Sequence, residues 1–230
     1  MRKAKISEIF QSIQGEGKYV GVAQVFVRFF GCPLDCVWCD TPYARGGGRA
    51  QYKEYECSEL VLAVRKLWDR CHSVSLTGGE PLFQAEFLKT FLPMLKKIRM
   101  TTYLDTNGIL DKALKEVIND IDIIAMDIKL PSSAKCQPFW DEHKRFLKIA
   151  KQKDVFIKIV LTGDTLKKDL ERAAVLVADI APETVIILQP STFDFSEPYM
   201  TKCRAYQKNC LKYLDDVRIV PQMHKLIGIK

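Results

Sequence analysis

The sequence predicts an α/β fold, a parallel sheet with helices on its outer side, curled into a partial barrel of six β/α units. Three observations carry this. Apolar stretches near residues 25, 75, 103, 124, 157 and 187 alternate with helical patterns, as βαβ units do. The chemistry-bearing residues fall at the carboxyl ends of those stretches, where barrel enzymes place their sites. The 230 residues contain no repeat, low-complexity tract or linker, so a single domain over 1–230 is expected. A doubly wound open sheet is the alternative. It needs a ligand crevice at a switch point and accounts for less of the motif distribution.

Composition narrows the class. Hydrophobic residues make up 47% and charged residues 27%, an ordinary globular balance. No apolar run approaches a membrane span. The basic start runs into Glu8 and Gln11 without a signal-peptide core. A cytoplasmic protein with no membrane partner is expected. Eight cysteines in this length are too sparse for a disulfide framework, and a reducing compartment suits free thiols. The net charge is +7, with lysines scattered and no basic stripe interleaved with aromatics. A solvated basic surface that attracts anionic ligands is read in preference to nucleic-acid binding.

Residues 6–19 open the chain and include Gln14-Gly15-Glu16-Gly17, a glycine turn around one carboxylate. Residues 22–30, rich in Val and Phe, read as a buried strand. Arg28 interrupts it, either as an ion pair at the strand end or as a guanidinium aimed at a ligand carboxylate. Then comes the loop 31–41, with Cys32-x3-Cys36-x2-Cys39. Thiolates at this spacing can hold three irons of a cubane cluster and leave the fourth open to a non-protein ligand. A structural zinc site is the rival, but zinc usually takes four protein ligands. None of the three histidines, His72, His143 and His224, is near in sequence. Pro33 and Asp35 stiffen the loop and Trp38 shields it. Asp40 and Thr41 offer hard oxygens of the kind magnesium prefers, although a turn or cap is the ordinary role of such a threonine.

Residues 44–55, with Gly46-Gly47-Gly48, read as a flexible surface loop rather than a lid. Residues 58–70 form an amphipathic helix with Leu60, Val64, Leu67 and Trp68 on one face, Ser58 as cap and Glu59 in the first turn. Cys57, Cys71 and His72 around it are structural. A strand over 73–77 leads into Gly78-Gly79-Glu80-Pro81, where glycines expose backbone to a ligand or simply turn the chain into the next helix. That helix, 85–98, is bent by Pro93. A strand over 101–105 ends in Thr106-Asn107-Gly108, and a helix covers 110–119. The strand over 121–126 is followed by Asp127-Ile128-Lys129, whose two charges either pair with each other or meet a ligand. A basic helix over 142–151, a strand over 155–162 with lysine among Val and Ile, and a helix starting at 164 or 165 come next. The strand over 185–188 ends in Gln189-Pro190. In the helix over 201–215, Cys203 and Cys210 share a face as packing residues. A last strand over 217–220 and a tail with His224 complete the chain.

These motifs carry a family resemblance. Cys32-x3-Cys36-x2-Cys39 and Thr77-Gly78-Gly79-Glu80-Pro81 resemble the two signatures of the radical S-adenosylmethionine superfamily. Phe10-Gln11-Ser12-Ile13-Gln14-Gly15-Glu16-Gly17, Cys39-Asp40-Thr41 and Pro221-Gln222-Met223-His224-Lys225-Leu226-Ile227-Gly228 resemble the 7-carboxy-7-deazaguanine synthase family, from residue 6 onward. The resemblance implies the superfamily's partial (β/α)6 TIM-like barrel, a 4Fe-4S cluster on the three cysteines, S-adenosyl-L-methionine at the open iron, and Mg2+ on Thr41. For the cofactor it implies Trp38, Cys39, Asp40, Gly78, Gly79, Glu80, Asp105, Asn107, Asp127, Lys129 and Gln189. Asp105 stands where the family often has glutamate, and Asp127 where it has serine. For the substrate it implies Ile13, Gln14, Gly15, Glu16, Arg28, Thr77, His224 and Lys230, with the tail 217–230 near that site.

The implied reaction is a magnesium-assisted radical ring contraction. It takes 6-carboxy-5,6,7,8-tetrahydropterin to 7-carboxy-7-deazaguanine with loss of ammonia, toward queuosine-type 7-deazapurines. A flavodoxin or ferredoxin as electron donor and a homodimer are expected. The rivals are a related activating enzyme that places a radical on a partner protein's glycine, and a non-catalytic iron–sulfur or zinc protein.

Overall fold

The computed structural model describes residues 3–46, 51–194 and 196–229. Nine strands form one sheet in the order β3-β1-β2-β4-β5-β6-β7-β8-β9. The strands are β1 (Ala4–Ile13), β2 (Ala23–Phe29), β3 (Lys53–Tyr55), β4 (Ser73–Gly78), β5 (Thr102–Thr106), β6 (Ile123–Asp127), β7 (Asp154–Leu161), β8 (Ile186–Pro190) and β9 (Val217–Ile219). From β2 to β9 every neighbouring pair is parallel. β1 runs antiparallel to both β2 and β3. The six expected strands are β2 and β4 through β8, and the short strand expected near 217 joins as a seventh parallel member. The sheet is an open one, as a partial barrel requires.

β1 and β3 lie outside the sequence expectation. β1 occupies the segment read as an opening turn, and a register shift between Ile6 and Glu8 interrupts its pairing with β2. β3 lies inside the stretch read as a loop over 44–55. That stretch also contains the end of a short helix α1 (Pro42–Arg45). Residues 47–50, where the glycine run sits, are outside the described residues.

The helices α2 (Cys57–Leu67), α3 (Ala85–Lys97), α4 (Asp111–Val117), α5 (Pro131–Ala134), α6 (Trp140–Ala150), α7 (Lys167–Ile180), α8 (Glu197–Cys210) and α9 (Met223–Leu226) follow the strands. α2 is capped by Glu56 rather than Ser58. Glu56 accepts from the Glu59 backbone, and the Glu59 carboxylate accepts from the Glu56 N–H at 2.9 Å, a reciprocal capping box. α7 starts after 165 because the Thr165 hydroxyl is taken by the Thr162 N–H at 2.8 Å. Cys203 and Cys210 are buried in α8 as expected.

Strand alternation decides what each face holds. Val25, Val27, Leu76, Leu104, Ile124, Ile157, Ile159 and Leu188 belong to the main core, which also holds the apolar faces of the helices. The alternate residues point to the concave side. Toward the amino ends these are Tyr103, Ile123, Ala125, Phe156 and Ile187, a separate apolar cluster with Tyr19 packed on it. This cluster plugs the floor. Toward the carboxyl ends the same faces present Arg28, Thr77, Asp105, Asp127, Lys158 and Gln189, which line a cavity.

Candidate active site

The cavity has a volume of about 430 Å3, within the usual range for small-molecule sites. It gathers residues from the whole chain. The loop after β2 brings Cys32, Cys36, Trp38, Cys39, Asp40 and Thr41 to one wall. The ends of β4, β5, β6 and β8 bring Thr77, Gly78, Gly79, Asp105, Asn107, Asp127, Lys129 and Gln189. The opening segment and the tail bring Ile13, Gln14, Gly15, Glu16 and His224. Among the described residues, one expected site residue is not on this wall: Glu80 is fully buried behind it. Lys230 lies outside the described residues.

The burial of Glu80 has a clear cause. Its carboxylate accepts from the Asn107 N–H at 2.7 Å, the Thr106 hydroxyl at 2.9 Å and the Leu82 N–H at 3.0 Å. Burial raises its pKa to about 7, against the pull of these donors. It ties the glycine turn after β4 to the end of β5. The glycines before it are dictated by close approach. Gly78 has φ +127, and a Cβ on Gly79 would strike the Gly31 carbonyl of the cysteine loop. Glycine is what lets the two loops touch.

All eight cysteines in the chain are free. Among the described residues, only Glu16, Asp40 and His224 bring three metal-ligating atoms within 4.8 Å of one another. The sulfurs of Cys32, Cys36 and Cys39 are not all within that distance of one another. One tetrahedral zinc would hold its sulfurs about 3.8 Å apart, from Zn–S bonds near 2.3 Å, so the arrangement is not that of one zinc on three thiolates. In a multi-iron cluster each thiolate takes its own iron, and three thiolates on one cavity wall fit that donor set. Beside the loop, Asn107 Nδ2, Trp38 Nε1 and Gln189 Oε1 are buried polar atoms without protein partners. Such atoms are rare in folded proteins, and on a cavity wall they fit a ligand that satisfies them.

The charges form one network. Lys158 Nζ lies 2.9 Å from Glu16, 2.9 Å from Asp105 and 3.8 Å from Asp127. Burial works against its charge, but the three carboxylates outweigh that and keep it protonated. Lys129 pairs with Asp127 at 2.6 Å and lies 4.5 Å over the Trp38 ring. The mutual pairing of Asp127 and Lys129 is therefore real, and both still line the cavity. Arg28 likewise does both: Nε meets Glu8 at 3.1 Å, the guanidinium lies over Phe10, and the side chain reaches the cavity. The Thr77 hydroxyl donates to Asp105 at 3.1 Å.

Burial pushes Glu16 up, but the Lys158 ammonium and a Gln222 hydrogen bond bring it down to about 2. The Gln14 amide is used internally, donating to Gln24 at 2.9 Å and accepting from the Glu16 N–H at 3.0 Å. It shapes the Glu16 turn and lines the cavity. Asp40 faces the tail, with Gln222 at 3.1 Å and Lys225 at 3.3 Å.

Three residues were not singled out from sequence. Lys158 sits on β7, where a lysine among Val and Ile carries no local motif. Gln222 donates to both Glu16, at 2.7 Å, and Asp40. His143, on α6, is wholly buried. Its Nε2 accepts from the Lys129 N–H at 3.1 Å and its Nδ1 donates to the Gly108 carbonyl at 3.0 Å. Burial lowers its pKa to about 4, so it stays neutral and fixes the backbone that carries Lys129.

Comparison with known proteins agrees with this geometry. Residues 26–177 match the model of the Radical SAM superfamily. A 7-carboxy-7-deazaguanine synthase of Geobacter sulfurreducens is 38% identical, over 98% of this chain and 97% of that protein. One of Methanocaldococcus jannaschii is 34% identical, over 97% of this chain and 99% of that protein. The crystal structure of QueE from Escherichia coli superposes with a TM-score of 0.68 at 20% identity, covering 96% of this chain and 95% of that one, and supports the fold.

Proposed function

The chain belongs to the 7-carboxy-7-deazaguanine synthases of the radical SAM superfamily, and from that premise we propose that it converts 6-carboxy-5,6,7,8-tetrahydropterin to 7-carboxy-7-deazaguanine with loss of ammonia, in 7-deazapurine biosynthesis. The observation that carries the reading is one cavity shared by three groups: the cysteine loop, the glycine turn after β4, and the pair Glu16 and Arg28.

Cys32, Cys36 and Cys39 would hold a 4Fe-4S cluster, which together with S-adenosyl-L-methionine would supply the one-electron radical chemistry. The protein's share is placement and exclusion of water. Gly78, Gly79, Asn107 and Gln189 offer backbone and amide groups to the cofactor. Trp38 stacks under Lys129 and covers the cysteine loop. Arg28 presents a guanidinium suited to the substrate carboxylate. Glu16, as a carboxylate, accepts from the N–H edge of the ring, and His224 stands beside it. Thr41 is the proposed magnesium ligand, with water and substrate oxygens completing the shell. Asp105, one methylene shorter than the family's usual glutamate, is held by Thr77 and Lys158 and keeps a place on the cavity wall. A flavodoxin or ferredoxin donor accords with the net charge of +7, since such carriers are acidic partners for a basic surface. A homodimer belongs to the same reading and is checked by sedimentation.

The test is anaerobic reconstitution with S-adenosyl-L-methionine, magnesium, dithionite and the carboxytetrahydropterin, followed by mass spectrometry. A product lighter by one ammonia, absent in Cys36→Ala, is expected. Cofactor cleavage with the pterin untouched would instead favour an activating enzyme for a partner protein. No cleavage by protein verified to contain the cluster would sink the radical mechanism.

A further inference from the structure

The Glu16 carboxylate is held at both oxygens. Oε2 faces Lys158 Nζ at 2.9 Å and Oε1 accepts from Gln222 Nε2 at 2.7 Å. A carboxylate has about four acceptor positions, so two stay open, and Glu16 lines the cavity. Its turn is fixed from below, since its own N–H donates to the Gln14 amide. Lys158 is in turn held by Asp105 and Asp127. Gln222 is held by Asp40 and accepts from the Thr192 hydroxyl at 3.4 Å. The carboxylate can neither rotate freely nor retreat.

We propose that Lys158 and Gln222 are positioning residues that fix Glu16 as a charged two-point acceptor, and thereby select a ring edge presenting two adjacent N–H donors, the 2-amino edge of a pterin, over one presenting a carbonyl there. This rests on the pterin reading above. A ring with oxygen at that carbon sets a lone pair against a carboxylate that cannot turn away, whereas the amino ring makes two charge-assisted hydrogen bonds. The plain alternative is that Lys158 and Gln222 only hold the fold together at this point.

A binding experiment on the cluster-loaded protein with S-adenosyl-L-methionine, without reductant so that nothing turns over, separates the two. Calorimetry gives the Kd of 6-carboxytetrahydropterin and of its 2-oxo counterpart. The native protein is expected to prefer the amino ring by roughly tenfold or more, the worth of one hydrogen bond to a charged group. Lys158→Met and Gln222→Leu each reduce that preference toward unity. In Glu16→Gln the preference is already lost, and adding Gln222→Leu changes it no further, because the amide acts only through Glu16. Gln222→Leu touches neither Asp105 nor Asp127, so it serves if Lys158→Met does not melt as a folded protein. An unchanged preference in folded Gln222→Leu overturns the inference. So does a further drop on the Glu16→Gln background. A native protein that binds both rings equally also overturns it and leaves the pterin reading standing. One that binds neither removes both.

Discussion

The two faces of the parallel sheet are made from alternate residues of the same strands, yet they do different work. On β7, Ile157, Ile159 and Leu161 join the helix-covered core while Phe156 plugs the floor and Lys158 faces the cavity. On β8, Leu188 goes outward and Gln189 inward. The outer face is mainly apolar, with Thr102 and Thr106 of β5 as buried polar exceptions. The inner face changes character along its length, from an apolar floor to a charged rim. The lesson is that stability and ligand recognition sit on alternate positions and are separable by mutation. The charged rim is tolerated because its ammonium groups are paired with carboxylates, as buried charges must be.

The largest test joins the two loops at the rim. Gly79→Ala places a Cβ against the Gly31 carbonyl, backbone against backbone, and is expected to cost about 4 kcal/mol or more. It should also empty the cysteine loop of iron, read by iron analysis and the visible spectrum. Retained iron with native stability would show that the loops do not depend on each other. Next is an outer-face truncation. Leu188→Ala, at a fully buried position, is expected to lose about 3 kcal/mol in chemical denaturation with ligand affinity unchanged. A parallel loss of affinity would break the division between faces.

The third test uses pH. His143 is neutral in the fold, with its pKa lowered to about 4 from 6.5. The unfolded chain therefore binds more protons between those values. The stability from burying neutral His143 is fully present above pH 6.5 and is lost as pH falls toward 4. Between pH 6.5 and 5 the loss is about 2 kcal/mol. Denaturation midpoints at several pH values check it, and His143→Gln should flatten the slope. The smallest effect is expected on the floor of the inner face. Ser73→Ala removes the hydroxyl that accepts from Gln24 at 2.8 Å in the Gln14–Gln24–Ser73 chain. It should cost about 1 kcal/mol with little change in ligand affinity.

The seven parallel strands were legible because buried βαβ units write near-continuous apolar runs between helices. β1 was not, because it is a half-buried antiparallel strand whose alternation is broken by the shift at Ile6/Glu8. The cysteine loop and the glycine turn could be read because their chemistry is local in sequence. Lys158, Gln222 and His143 could not, because nothing local distinguishes them. A lysine in a strand shows no role until the sheet curls and the inward face becomes a cavity wall. Glu80 shows the opposite case: its motif neighbours line the cavity, while its own carboxylate is bonded to Thr106 and Asn107. Asp127 and Lys129 show that pairing and site membership are not exclusive.

The clamp on Glu16 has a consequence for how the molecule comes into being. Glu16 and Gln222 are 206 residues apart in the chain, and Glu16 and Lys158 are 142 apart. The outer core between neighbouring strands and helices can assemble in the order of synthesis, each unit adding to the last. The acceptor cannot, because its two partners follow it by 142 and 206 residues. Such long closures are slow steps in folding. A nascent chain therefore reaches a nearly complete sheet while still unable to grip its ring, and becomes competent only when the tail crosses back over the opening segment.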